Sequence, residues 1–261
     1  KNFSNIANEI NCPFIKSSKI NPDSEHVNAD IVISINFLTV IPKTFIDKFK
    51  YGILNAHLGD LPRYKGNACP NWAILNNEDN IVLSIHKMNE DIDDGPIIQK
   101  NKFVLSPHTY IGQVYEWFED ETPKFLFDGA SKIIKGFVPK DQKGKSLRTF
   151  PRKPEDSRLK FDADLDWNYR IIRASSKPFS GAFCFLNNTD CKVLIFKGNP
   201  VKVNYDFCSV NGQIMERFKN DFSFFVSFGN KVLKVTDYSV NKLSTKDSFP
   251  IVCKSLRNRL T

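Results

Sequence analysis

NAHLGDLPRYKGNACPNWAILNNEDNIVLSIHKMNEDIDDGPIIQ, residues 55–99, is the stretch on which the reading of the chain turns. It overlaps a short apolar run, Gly52 to Ala56, that reads as a strand, so Asn55 and His57 stand at a strand's C-terminal end. In open α/β sheets that is where ligands bind. Asp60 to Ala68, with Pro62 and Gly66, reads as a loop, and Pro70 opens a helix over PNWAILNN. Ile81 to Met88 alternates as a strand, and Asp91 to Pro96 is a turn by composition.

Working outward, Asp30 to Ile35 (DIVISI) is a β-branched run of the kind buried on both faces of a parallel sheet. Pro42 stands where a helix begins, with Phe45, Ile46 and Phe49 on its inner side. Phe3, Ile6, Ala7 and Ile10 fall on one face of a further helix. From Thr109 to about Gly136 the pattern is helical, with an interruption expected at Pro123. Strand and helix alternate, which predicts an α/β, Rossmann-like domain with a mainly parallel sheet over residues 1–150. Lys140 to Arg158 is a polar connector with Pro151 and Pro154. Beyond it come a helix at about Asp164 to Ser175 and the short runs AFCFL, KVLIF, VKV, QIMERF, FSFFVSF and KVLKV. Short strands at that spacing predict a small C-terminal β-barrel, OB-like, or a sandwich, in a second domain over residues 151–261.

With 261 residues and 41% apolar content, the chain can bury one large core or two modest ones. The net charge of +8 suits an anionic partner: nucleic acid, a membrane surface or a phosphorylated small molecule. Lys and Arg are scattered with no run of five, which argues against a polybasic arm. Cys12, Cys69, Cys184, Cys191, Cys208 and Cys253 lack any Cys-x-x-Cys or zinc-finger spacing and read as reduced thiols of a cytoplasmic protein. No metal site is expected. No apolar run reaches the ~18 residues a membrane-spanning helix needs, and no signal core follows the charged start.

Asn55, His57 and Asp93 are the candidate catalytic residues. A side-chain amide can donate to a developing oxyanion, an imidazole can take or relay a proton, and a carboxylate beside it raises its pKa and fixes its orientation. This kit fits transfer of an acyl or formyl group to an amine. No Ser or Cys accompanies it as an obvious nucleophile, so direct attack by the acceptor amine is favoured. His86, inside an alternating strand, reads as a structural or surface residue, and His26 and His108 carry no signal.

The ordered run Asn55-Ala-His57, Leu61-Pro62-Arg63-Tyr64-Lys65-Gly66, Pro70-Asn-Trp72-Ala, His86-Lys-Met88 and Asp93-Asp-Gly95-Pro96-Ile97 resembles the signature of folate-dependent formyltransferases. That family includes glycinamide ribonucleotide, methionyl-tRNA and amino-sugar formyltransferases. The resemblance implies N10-formyltetrahydrofolate as donor. It gives Asn55 the formyl oxygen and the tetrahedral intermediate, His57 the role of general base or proton relay, and Asp93 the charge and orientation of His57. It implies a donor pocket lined by Phe37, Leu38 and Thr39, by Asn67, and by Asn89, Glu90, Asp91, Ile92 and Asp93. Asn67 stands where amino-sugar relatives can have Arg, and Gly59-Asp60 replaces the more usual Ser-Leu after the His. Relatives place a strand, a helix and a strand, roughly fifty residues, ahead of the point where Lys1 falls, so that unit is expected to be missing.

The run Arg152-Lys-Pro154-Glu-Asp156-Ser157, followed by Asp166-Trp167 and Arg173 to Phe183, resembles the linker and second domain of formyltransferases acting on nucleotide-linked 4-amino sugars. It implies N-formylation of a nucleotide-linked amino (deoxy)sugar for surface polysaccharide, the O-antigen of lipopolysaccharide among them. A nucleotide diphosphate needs only a few cations, and Arg63, Lys65 and Arg152 are the candidates. Methionyl-tRNA formyltransferase is the close alternative, although no basic loop for RNA phosphates is present. A non-catalytic binding protein on the same fold is the alternative from another class. A homodimer is the default oligomer.

Overall fold

A computed structural model describes residues 2–17, 20, 28–37 and 39–261; the readings at His26 and Leu38 lie outside them. Helix α1 (Phe3–Glu9) is capped by Asn2, whose side chain accepts the Ser4 N–H. The expected stripe forms, but only Ala7 of it is buried. Strand β1 (Val32–Ile35), helix α2 (Lys43–Ile46) and strand β2 (Ile53–Leu58) follow, with Phe45, Ile46 and Phe49 turned inward as their spacing requires. Then come β3 (Tyr64–Gly66), α3 (Cys69–Leu75), β4 (Asn80–Lys87), β5 (Ile97–Val104) and the long α4 (Ile111–Ile134).

The first sheet has the order β1-β2-β4-β5. The expected parallel pairing holds for β1 and β2, whereas β2–β4 and β4–β5 run antiparallel, so the sheet is mixed. The short turn between β4 and β5 cannot make the crossover that a parallel pair needs. β2 and β4 are the inner strands, and Ile53 and Leu54 of β2 are fully buried. β1 corrects the expectation of burial on both faces: among the described residues it lies at the edge, and Ile33 and Ile35 are exposed. Pro123 does not interrupt α4. It sits on the exposed face with Glu119, so the carbonyl that loses its N–H partner can be hydrated.

The connector is partly structured. β6 (Leu147–Thr149) pairs in parallel with β3, and a 3₁₀ turn spans Pro154–Ser157. Helix α5 (Leu165–Ser175) is capped by Asp164 and leads into β7 (Ala182–Phe185), β8 (Lys192–Val201), β9 (Ile214–Phe218), β10 (Ser223–Phe228), β11 (Lys231–Val240) and α6 (Thr245–Val252). These strands form one antiparallel sheet in the order β7-β8-β11-β10-β9. The expected closed OB-like barrel is corrected: among the described residues no ladder joins β7 to β9. Those edge strands are only four and five residues long, and the C-terminal end crosses the gap by single bridges, Leu186 to Leu260 and Gln213 to Arg259.

One buried apolar cluster runs through both sheets, from Leu54 and Ile85 through Val114 and Ile172 to Ile195 and Phe224. The Asn71 amide donates to the Ala174 carbonyl at 2.7 Å, fixing α3 to α5. All six cysteines are free thiols. No described helix is long and apolar enough to cross a membrane.

Candidate active site

Register between β2 and β4 builds the centre of the site. Asn55 lies opposite His86 and His57 opposite Ser84, so four polar side chains at alternate positions share one face of two otherwise apolar strands. His86 is almost fully buried. Its Nδ1 lies 3.0 Å from the Lys87 carbonyl and its Nε2 3.2 Å from the Asn55 amide nitrogen. A carbonyl can only accept, so Nδ1 carries the proton and Nε2 accepts one Asn55 N–H. The other Asn55 N–H is left for a ligand. Of its two readings, surface is corrected and structural stands: His86 is buried and holds the Asn55 amide.

His57 Nε2 lies 2.6 Å from the Tyr64 carbonyl and therefore holds a proton, while Nδ1 faces Asp93 Oδ2 at 3.5 Å. Burial pushes the imidazole pKa below its usual value, opposed by the Asp93 carboxylate and the Tyr64 carbonyl. The resting ring is thus neutral, with its lone pair at Nδ1 and a carboxylate placed to stabilise the imidazolium. Gly59 makes room for it: a Cβ there would lie 2.4 Å from His57 Nε2 and 2.5 Å from the Tyr64 carbonyl oxygen.

Asp93 reaches this position from a left-handed backbone conformation, φ +53°. Burial raises its carboxyl pKa, but the facing His86 and His57 imidazoles and the Gly66 N–H, which donates to Oδ2 at 2.8 Å, outweigh it, and the net shift is downward. Gly66 is itself at φ +100°, and a Cβ there would sit 2.3 Å from the Thr149 carbonyl oxygen. From the connector, Gln142 Nε2 donates to the carbonyls of Asp93 and Gly95 at 2.7 and 2.8 Å and so holds the turn. Cys69 Sγ lies 3.6 Å from His57 Nε2, but burial pushes its thiol up to about 11, which leaves it protonated and not a nucleophile.

Two cavities, of about 390 and 380 Å³, share a wall of Asn36, His57, Leu58, Gly66 and Asn67. The smaller is lined by Asn55, by Phe37 and Thr39, and by the whole of Asn89 to Asp93. The expected donor-pocket residues among those described are therefore brought together. The larger is lined by Arg152 together with Lys153, Phe179, Phe183 and Lys192. Arg63 and Lys65 are not brought in. Arg63 pairs bidentately with Glu78 at 2.8 and 2.6 Å, Lys65 pairs with Asp94, and neither lines a cavity. Tertiary pairing, invisible in the local sequence, has used up both cations. Among the described residues no cluster of His, Cys, Asp or Glu could hold a metal ion.

Comparison with known proteins is consistent with this geometry. Methionyl-tRNA formyltransferase of Fusobacterium nucleatum subsp. nucleatum is 28% identical over 206 residues, which cover 78% of this chain but only 65% of that protein. HypX from Aquifex aeolicus, solved in complex with tetrahydrofolic acid, superposes with a TM-score of 0.67 at 18% identity, covering 85% of this chain and 39% of that one. An N-formyltransferase from Helicobacter canadensis, solved with folinic acid and dTDP-3-aminofucose, superposes with a TM-score of 0.64 at 19% identity, covering 89% and 81%. Residues 15–129 match the formyl transferase family model and residues 152–248 match the formyl transferase C-terminal domain, and on these two matches, which follow in order along the chain, it belongs to the formyl transferase family.

Proposed function

We propose that the chain transfers a formyl group from N10-formyltetrahydrofolate to the 4-amino group of a nucleotide-linked amino sugar, in the cytoplasm and for surface-polysaccharide assembly. The observation that carries the reading is the shared wall: His57 faces two cavities at once, one for a donor and one for an acceptor. The division of the chain at residues 150 and 151 belongs to this reading, with the transfer site in the first part and the acceptor cavity completed by the second.

The donor fits the smaller cavity. Ser34 lines it, and its hydroxyl is buried without a hydrogen-bond partner, a polar atom left for a ligand. Phe37 and Ile92 offer apolar surface, and Glu90 and Asp91 offer acceptors for ring N–H groups. When bound, the donor supplies an activated formyl group. Asn55, oriented by His86, presents its free N–H where negative charge develops on oxygen. His57 takes the acceptor amine's proton at Nδ1, Asp93 holds the imidazolium that results, and that proton passes on to N10 as the bond from N10 to the formyl carbon breaks and tetrahydrofolate leaves.

The acceptor assignment rests on the larger cavity, which suits a compact phosphorylated molecule. Methionyl-tRNA is the second reading, favoured by the name carried by the F. nucleatum relative and by others like it. The deciding assay offers N10-formyltetrahydrofolate with each acceptor and follows release of tetrahydrofolate. Turnover with tRNA alone reverses the assignment. No turnover with either, and no folate bound, favours a binding protein on the same fold.

A further inference from the structure

The scatter of Lys and Arg along the sequence hides an asymmetry. Residues 1–150 carry 18 Lys and Arg against 18 Asp and Glu, whereas residues 151–261 carry 19 against 11, so the whole net charge of +8 lies in the second part. Some of those cations are paired: Lys177 with Asp237, Lys231 with Asp164 and Asp166, and Lys234 with Asp221. The cations lining the larger cavity are not. Arg152, Lys153 and Lys192 line it together with no Asp or Glu in the lining.

Among the described residues none of the three side chains forms an ion pair with a carboxylate. Arg152 donates to the Asp156 carbonyl at 2.9 Å, is stacked 6.0 Å over the Trp72 ring and lies 3.4 Å from the hydroxyls of Ser157 and Ser175. The Asp156 carboxylate is turned to the Lys153 backbone N–H at 2.7 Å. Lys192 Nζ rests 3.9 Å from the centre of the Phe183 ring. Next to it Arg158 lies 5.3 Å over Phe185, whose ring is 5.8 Å from that of Phe183. A ring face holds a cation at the surface without neutralising it, so both charges stay open to an anion. Phe179, 42% exposed, lines the same cavity and offers a flat apolar face.

We propose that this wall binds the nucleoside diphosphate part of the acceptor: the phosphates lie on Lys192, Arg152 and Lys153, and the base lies against Phe179. The inference rests on the amino-sugar reading above and adds to it the residues that recognise the nucleotide. Three cations with no acid among the lining residues are what two phosphates need. Arg158 stands just outside, on the next ring of the same strand, and contributes long-range attraction rather than contact.

The test is titration of the full chain with UDP and with dTDP, each compared with its nucleoside, in wild type, Lys192→Glu, Lys192→Arg and Arg158→Ala. Lys192 is exposed, and tetrahydrofolate binding by each variant serves as the control for folding. The expected result is a nucleoside diphosphate that binds and a nucleoside that binds roughly tenfold more weakly or worse. Lys192→Glu should weaken the diphosphate by a similar factor, Lys192→Arg should restore it, and Arg158→Ala should cost about two- to threefold at low salt and less at high salt. Unchanged affinity in Lys192→Glu, or a nucleoside that binds as tightly as its diphosphate, overturns the proposal. If wild type formylates a nucleotide amino sugar and Lys192→Glu leaves its KM unchanged, only this inference fails. If wild type binds neither diphosphate and formylates methionyl-tRNA, the amino-sugar reading fails with it.

Discussion

The two cavities are nearly equal in volume and opposite in charge. The one bordered by Asn89 to Asp93 carries three acids and a single Arg, Arg148; the one bordered by α5 and β7 carries three cations and no acid in its lining. His57 stands in the wall between them. On the proposed function, the difference teaches that the transfer residues and the recognition residues come from separate parts of the chain: β2, β4 and the Asp93 turn supply the first, and the connector with the second sheet supplies the second.

Substitutions on either side of that wall can break the comparison. The largest effect belongs to His57→Ala, which removes the proton acceptor common to both cavities. It should lower kcat by about 10²–10⁴-fold while the far-UV circular dichroism stays native. A variant with wild-type kcat would sink the mechanism.

Asp93→Asn comes next, with a loss in kcat of about tenfold or more and a displaced pH profile. The sign follows from His57. Activity needs the neutral imidazole and is lost as pH falls through its pKa, and Asp93 raises that pKa against the dominant effect of burial. Removing the carboxylate charge lowers the pKa further, so the acidic limb moves to lower pH. A limb that stays in place, or moves to higher pH, contradicts the assigned role. The same carboxyl is held below its ordinary value in the folded chain, so it stabilises the fold above the unfolded pKa of about 4 and loses that contribution on acidification through its folded pKa.

Gln142→Ala should act through the turn. Losing two donors to the carbonyls of Asp93 and Gly95 should cost about 1 kcal/mol of stability and a few-fold in kcat, with the KM for the acceptor unchanged. A variant that altered only acceptor KM would place Gln142 on the other side of the wall. Ser34→Ala is the smallest. Because the hydroxyl has no partner, its removal should leave Tm unchanged or slightly higher, yet weaken tetrahydrofolate binding by about two- to tenfold. Unaltered folate affinity would remove Ser34 from the donor cavity.

How much of this was legible depends on whether the determining contact is local. His57 near a strand end, the Asp93 turn and the helix with Pro70 in its first turn follow from spacing and turn chemistry and are present, whereas β2 runs on to Leu58, past the expected Ala56, so Asn55 stands in mid-strand. Helix α6 has a local signal in Ser244, whose hydroxyl accepts the Asp247 N–H and donates to the Asp247 carboxylate. Strand direction is a long-range property: nothing within Ile81 to Met88 states that β4 runs against β2. The fate of charges is also long-range. Arg63 and Lys65 look available in sequence, yet folding brings Glu78 and Asp94 to them, whereas Lys192, which no local pattern marks, ends over the Phe183 ring in a cavity lining. The contact of His86 with Asn55 is hidden for the same reason, since it is a cross-strand pair.

The central claim is that one residue, His57, serves a folate donor on one side and a nucleotide amino sugar on the other. It is tested most directly by a single turnover experiment with N10-formyltetrahydrofolate and a nucleotide-linked 4-amino sugar, reading tetrahydrofolate release and formylated product together. The account predicts stoichiometric appearance of both with wild type and neither with His57→Ala. Formylated product only from methionyl-tRNA, or product formed as fast by His57→Ala, would contradict it.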